Sequence, residues 1–186
     1  MTVFLSRPRL VLFDRDGTLV VDVPYNGDPE QVQPMPGAVD AVKRIRDSGC
    51  GVGVVTNQSG IGREYVTADE VARVNLRVDE LFGGFDTWQV CPHVAEDGCR
   101  CRKPRPGMVL EAAWQLAIPP SEVVVIGDIG ADVQAARAAG AAAILIPTRV
   151  TRLNEIDEAP VVLANLLEAA TLIESASTGV SRRGAA

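Results

Sequence analysis

Aromatic side chains are nearly missing from this chain: four Phe, two Tyr and two Trp among 186 residues, or 4%. A core of ordinary density must then be built from Val, Leu, Ile and Ala, and stacking platforms for single-stranded nucleic acid are lacking. Positive charge is also short. Lysine and arginine number 18 against 24 aspartates and glutamates, a formal net charge of −6, which argues against general binding to a phosphate backbone. Histidine occurs once, as His93. Long apolar runs are missing too. The N-terminal run is broken by Arg7, Pro8, Arg9 and Asp14, too early for a signal peptide or a span, and "AAAILIP" is too short to cross a bilayer. The expectation is a cytoplasmic monomer with no membrane and no nucleic-acid partner. Reduced thiols in that compartment serve more often as metal ligands than as disulfides.

What is present has a clear rhythm. The hydrophobic fraction is 47%, enough for one domain with a sizeable core. "RLVLFD" (9–14), "GVGVVTN" (51–57), "VVVIGD" (123–128) and "AAAILIP" (141–147) are short apolar runs suited to buried parallel strands. Helical patterns lie between them. "PGAVDAVKRIRDSG" is expected to start at Pro36, and "TADEVARVNLRVDELF" opens with Thr67 and Glu70 in capping-box register. "GMVLEAAWQLAI" and "ADVQAARAAG" supply two more, and "PVVLANLLEAATLIE" a closing helix. Alternating strands and helices predict an α/β fold, a single Rossmann-like parallel sheet flanked by helices. One domain is expected over residues 1–174, with a disordered tail over 175–186.

In such sheets the working residues lie beyond the carboxyl ends of the strands. Here those ends are polar: Asp14, Arg15, Asp16, Gly17 and Thr18 after the first, Thr56 to Gly60 at the second, and Gly127, Asp128 and Asp132 at a later one. Any one of these is an ordinary helix cap. Carboxylates gathered at one sheet edge, however, repel each other unless a cation lies between them, and oxygen ligands with water suit Mg²⁺. With His93 set among thiols, no Ser–His–Asp triad and no phosphohistidine chemistry is available. A carboxylate nucleophile remains. Asp14 is placed to attack phosphorus and Asp16 to act as acid and then base, with Thr56 and Lys103 on the phosphate oxygens. Asp128 would complete the metal site while Asp132 orients its neighbours.

The segments "DRDGT", "TNQSG", "CRKP" and "GDIGAD" resemble the four ordered motifs of the haloacid dehalogenase-like superfamily of aspartate-nucleophile phosphatases, over roughly residues 9–148. The resemblance implies Asp14 as nucleophile and Asp16 as acid/base. It also implies Mg²⁺ on Asp14, the Asp16 carbonyl and Asp128, with Thr56, Asn57, Gln58, Ser59 and Lys103 around the phosphate. Neither gap between motifs has room for a separate cap domain of even ~50 residues. The enzyme is expected to be capless.

Three of the four cysteines and the only histidine fall in "CPHVAEDGCRCRKPRPG". Cys91, His93, Cys99 and Cys101 are four N/S ligands with no open position, the composition of a structural Zn²⁺ site. Such a zinc would pin a long loop so that Arg102 and Lys103 project into an uncapped site. Cys99 and Arg105 also satisfy C-x5-R, the spacing of cysteine-dependent phosphatases, but Pro104 removes one of the backbone N–H groups that such a phosphate loop needs. A capless chain with this loop resembles the heptose-1,7-bisphosphate 7-phosphatase group, which is similar to the histidinol-phosphate phosphatase domain. That resemblance implies substrate contacts from Asp22, Tyr25 and Arg102, and a small phosphorylated metabolite as substrate. Heptose 1,7-bisphosphate leads. Histidinol phosphate or another sugar phosphate stays open, because Ile129 and "GREYVT" depart from the heptose pattern.

Overall fold

Short, buried apolar runs form four of the five strands. In the computed structural model, which describes residues 8–178, the five are β1 (Leu10–Phe13), β2 (Gly51–Asn57), β3 (Thr87–Cys91), β4 (Val123–Gly127) and β5 (Ala142–Leu145). All pairings are parallel and the order is β3-β2-β1-β4-β5. The three strands whose ends carry the polar motifs, β2, β1 and β4, are therefore direct neighbours. Strand side chains alternate between two cores. Val11, Phe13, Val54 and Ile126 face the layer of α1 (Ala38–Asp47), α3 (Ala68–Phe82) and α7 (Leu166–Thr178). Leu10, Leu12, Val55 and Val125 face α4 (Gly107–Gln115) and α5 (Gly130–Ala139).

The edge strand β3 has no counterpart among the apolar runs. Its sequence, TWQVC, is buried only at Thr87 and Cys91, as suits a strand with a single neighbour. Short α2 (Ser59–Gly62) and α6 (Leu153–Glu158) likewise carry no amphipathic signal. In α3, the capping box forms as its residues promise, Glu70 N–H to Thr67 Oγ1 at 3.2 Å and Thr67 N–H to Glu70 Oε2 at 2.7 Å. Val71, Val74, Val78 and Phe82 are buried.

Three boundaries differ from the sequence expectation. Helix α1 begins at Ala38 rather than Pro36, because Gly37 sits at φ 74°, where a Cβ would meet Leu167 Cδ1 at 2.9 Å. The closing helix begins at Leu166 rather than Pro160. Leu145 N–H donates to Val161 O and Leu163 N–H to Leu145 O, so this stretch extends the sheet edge instead. At its other end α7 continues through Thr178, into the segment expected as tail, with Ser175 Oγ donating to Thr171 O at 2.8 Å. Residues 179–186 of that segment lie outside the described residues.

No separate cap is present among the described residues. Between β1 and β2 lies α1, and between β2 and Lys103 lie α2, α3 and β3, all part of the sheet or its flanking layers. No described helix is long and apolar enough to cross a membrane.

Candidate active site

The site grows from the ends of the three central strands. Asp14 follows β1 directly, and its N–H continues the ladder to Ile126 O at 2.9 Å. Its Oδ1 accepts from Arg15 N–H at 2.7 Å and pairs with Lys103 Nζ at 2.9 Å. Gly17 then turns the chain at φ 77°, a conformation that leaves room for Asp128, whose Oδ2 would collide with any Cβ there. Thr18 and Thr148 donate to the two Asp128 carboxylate oxygens at 3.3 and 3.4 Å, and Thr151 donates to its backbone carbonyl at 2.6 Å. Asp132, in the first turn of α5, is almost fully buried and pairs with Lys103 Nζ at 2.6 Å.

Lys103 is itself buried, and its third acceptor is Val55 O at 2.9 Å. Burial opposes its charge, yet Asp132 and Asp14 outweigh that and raise its pKa above the ordinary value. Burial pushes Asp14 up to about 8, with Lys103 opposing and Asp132 and Asp16 adding to the rise. Asp128 is pushed to about 6 by burial and then by Asp132. Oxygens of Asp14, Asp128 and Asp132 lie within 4.8 Å of one another. With all three carboxylates ionised, one ammonium would leave two negative charges in a buried pocket. That donor set fits a divalent, oxygen-preferring cation.

Asp16 turns its carboxylate into a different set of donors. Arg15 Nε and Nη2 fork onto Oδ1 and Oδ2 at 3.0 and 2.9 Å, and Gln58 Nε2 reaches Oδ2 at 2.8 Å. Thr56 stands behind this layer. It is 1% exposed, its hydroxyl accepts from Gln58 Nε2 at 2.9 Å, and it does not line the cavity. Asn57 spends its amide on the backbone of Lys103, accepting its N–H at 3.1 Å and donating to its carbonyl at 3.2 Å.

A cavity of about 350 Å³ opens above these groups. Asp14, Asp16, Asp128, Asp22, Tyr25, Gln58, Ser59, Arg102 and Lys103 all line it. Ile129 and Val150 add an apolar edge. Burial, then Asp16, raises the Asp22 pKa, with Arg15 opposing. The structure thus places the candidate phosphate, Mg²⁺ and substrate residues around one cavity, with Thr56 set back by one layer. Sequence reasoning overlooked Arg15, Asn75, Thr148 and Thr151, and also Tyr65, whose ring meets Tyr25 edge-on at 4.8 Å. Arg15 lay in plain view inside "DRDGT". The others come from segments outside any motif.

Beside this cavity, Cys91, His93, Cys99 and Cys101 converge. Their sulfurs are 3.3–3.7 Å apart, and His93 Nδ1 stands 3.6 Å from Cys91 and 3.3 Å from Cys101. Ligands of a tetrahedral ion bound at ~2.3 Å would stand roughly 3.8 Å apart, so the cluster fits one metal ion with little adjustment. Burial pushes the Cys91 thiol up to about 12, so an ion there must drive off its proton. The loop is laced to the site by Gln58 N–H on Cys91 O at 2.7 Å, Gly62 N–H on Pro92 O at 3.0 Å, and Arg102 Nη1 on His93 O at 3.2 Å.

Known proteins resemble this arrangement in sequence and fold. The family model for haloacid dehalogenase-like hydrolase matches residues 24–140. A D-glycero-beta-D-manno-heptose-1,7-bisphosphate 7-phosphatase from Pseudomonas putida is 39% identical over 145 residues, covering 75% of this chain and 83% of that protein. Its namesake from Pseudomonas aeruginosa is 35% identical over 149 residues, covering 77% and 83%. Among solved structures, a D,D-heptose 1,7-bisphosphate phosphatase from B. bronchiseptica, complexed with magnesium and phosphate, aligns with a TM-score of 0.77 at 29% identity, over 88% of this chain and 96% of that one.

Proposed function

This chain belongs to the haloacid dehalogenase-like hydrolases, and from that premise we propose that it is a sugar-phosphate phosphatase working through an aspartyl-phosphate, with heptose 1,7-bisphosphate as substrate and the 7-phosphate removed. The observation that carries the chemistry is Asp14, buried at the end of β1 with Lys103 Nζ at 2.9 Å. An Asp14 carboxylate oxygen bonds to phosphorus as the P–O bond to the sugar breaks, and the departing alkoxide takes a proton from Asp16. Water then attacks phosphorus and gives a proton to Asp16. The acyl-phosphate P–O bond breaks, which regenerates Asp14 and releases inorganic phosphate. Asp14, Asp128 and the Asp16 carbonyl would hold Mg²⁺, which when bound supplies positive charge to the phosphate oxygens. Asp132 and Asn57 hold Lys103 in place from its two ends.

The cysteine–histidine cluster would hold Zn²⁺ as a structural ion. All four cysteines are free of disulfides, which suits a reducing, cytoplasmic setting. For the substrate, the support is the similarity to heptose-1,7-bisphosphate 7-phosphatases together with Arg102 at the cavity, where its fork can grip a second phosphate or sugar hydroxyls. The test is Mg²⁺-dependent phosphate release from a panel of phosphorylated heptoses, hexoses and histidinol phosphate. Heptose 1,7-bisphosphate should lead by kcat/KM. A win for histidinol phosphate would replace the substrate, and no release from any of them would overturn the reading.

A further inference from the structure

Arg15 has no part in the reaction as written above, yet it is among the most deeply buried side chains of the protein, with 1% of its surface exposed. A charge at that depth is costly unless every contact is made. Its contacts are specific. Nε and Nη2 grip both oxygens of Asp16, and Nη1 donates to Asn75 Oδ1 at 2.6 Å. Asn75 projects from α3, a helix fixed by the buried Val71, Val74 and Val78. The guanidinium is thus braced from a rigid element and presents a flat, two-pronged surface to the carboxylate.

The donors divide the two oxygens of Asp16. Oδ2 accepts from both Arg15 Nη2 and Gln58 Nε2, which uses both of its lone pairs. Among the described residues Oδ1 accepts from Arg15 Nε alone and keeps one lone pair. We propose that Arg15, braced by Asn75, is a positioning residue that holds Asp16 so that Oδ1 is the atom exchanging protons at the cavity. The inference rests on the aspartyl-phosphate reading. It adds two residues, one outside every motif, to the groups that set the rate of both half-reactions. Asp16 gives its proton to the leaving alkoxide in the first and receives one from water in the second, so a misaimed carboxylate should slow both.

The two half-reactions separate by leaving group. p-Nitrophenolate departs without protonation, so with p-nitrophenyl phosphate only the second step needs Asp16. Arg15→Lys keeps the charge and loses the fork. Asn75→Ala, at a partly exposed position, removes the brace, and Asn75→Asp keeps an accepting oxygen. With p-nitrophenyl phosphate, Arg15→Lys and Asn75→Ala should show a burst of about one p-nitrophenolate per active site. The kcat and KM should then fall together, roughly 100-fold for Arg15→Lys and about tenfold for Asn75→Ala, the scale of a misplaced catalytic group. For an alkyl phosphate, kcat/KM should fall by similar factors, and Asn75→Asp should restore most of the loss. A merely structural role would lower burst and turnover alike at unchanged KM, and that result, or wild-type kinetics in both variants, overturns the proposal. If the wild-type protein itself neither releases phosphate nor traps an aspartyl-phosphate, the underlying hydrolase reading has failed and this inference falls with it. Wild-type turnover with unresponsive variants sinks this inference alone.

Discussion

The ammonium of Lys103 faces three acceptor oxygens, on Asp14, Asp132 and Val55, all supplied by the protein. Its charge is therefore committed to the nucleophile before any substrate arrives. Asp14→Asn removes the attacking oxygen while Asp132 and Val55 still hold Lys103, so phosphate release should vanish with the fold intact by circular dichroism. Asp16→Asn should lower kcat on alkyl phosphates by roughly 10²–10⁴, the range for general acid–base catalysis. Near-normal turnover in either variant would exclude the aspartyl-phosphate mechanism. The same cluster predicts a pH dependence. Asp14 and Asp128 are raised from 3.8 to about 8 and about 6, so the metal-free folded protein holds protons that the unfolded chain has released. Their contribution to stability thus declines as pH rises from about 4 toward 8. Mg²⁺ needs both groups ionised and must displace those protons below these values. The rise in melting temperature on adding Mg²⁺ should therefore be larger at pH 8 than at pH 6. Equal shifts at both pH values would show that these carboxylates do not bind the ion.

At the scale of elements, the deciding piece is the loop after β3. Its four soft ligands close on one point, and its backbone is hydrogen-bonded to Gln58, just past β2, and to Gly62, the last residue of α2. A metal there would stiffen the segment that delivers Arg102 and Lys103. Purified protein should contain about one zinc per chain, and Cys101→Ser should lose it, melt at lower temperature and lose most activity. EDTA applied briefly should abolish activity through Mg²⁺ alone, with recovery on adding Mg²⁺ while zinc stays bound. Protein without zinc, in which four cysteines react freely with a thiol reagent, would refute a structural ion. Helix α3 has a comparable indirect role, because its buried valine face holds Asn75 against Arg15.

Over the whole molecule, the absence of a cap among the described residues leaves the cavity open, so discrimination must come from charges that reach the far part of a ligand. Arg102 lies at the cavity and is tied to His93 O, away from the buried carboxylates that engage Lys103. Arg102→Ala should flatten the preference among sugar phosphates while sparing slow hydrolysis of p-nitrophenyl phosphate. Lys103→Ala should depress every substrate alike. Identical profiles for the two variants would refute this division of labour. Much of this was legible in the chain itself. Aliphatic runs ending in Asp14, Thr56 and Asp128 specify parallel strands with their chemistry at one edge, because burial on both faces demands continuous apolar residues and a polar exit. The C-x-H-x5-C-x-C spacing brings four soft ligands within one loop's reach. Only tertiary structure decided the rest. It put β2, β1 and β4 side by side, withdrew Thr56 behind Gln58, turned Asn57 onto the Lys103 backbone and carried Asn75 from α3 to Arg15. The Asn57–Lys103 and Arg15–Asn75 pairings join residues 46 and 60 positions apart. They have no local signature, because a hydrogen bond across that distance exists only once two independently formed elements have packed against one sheet.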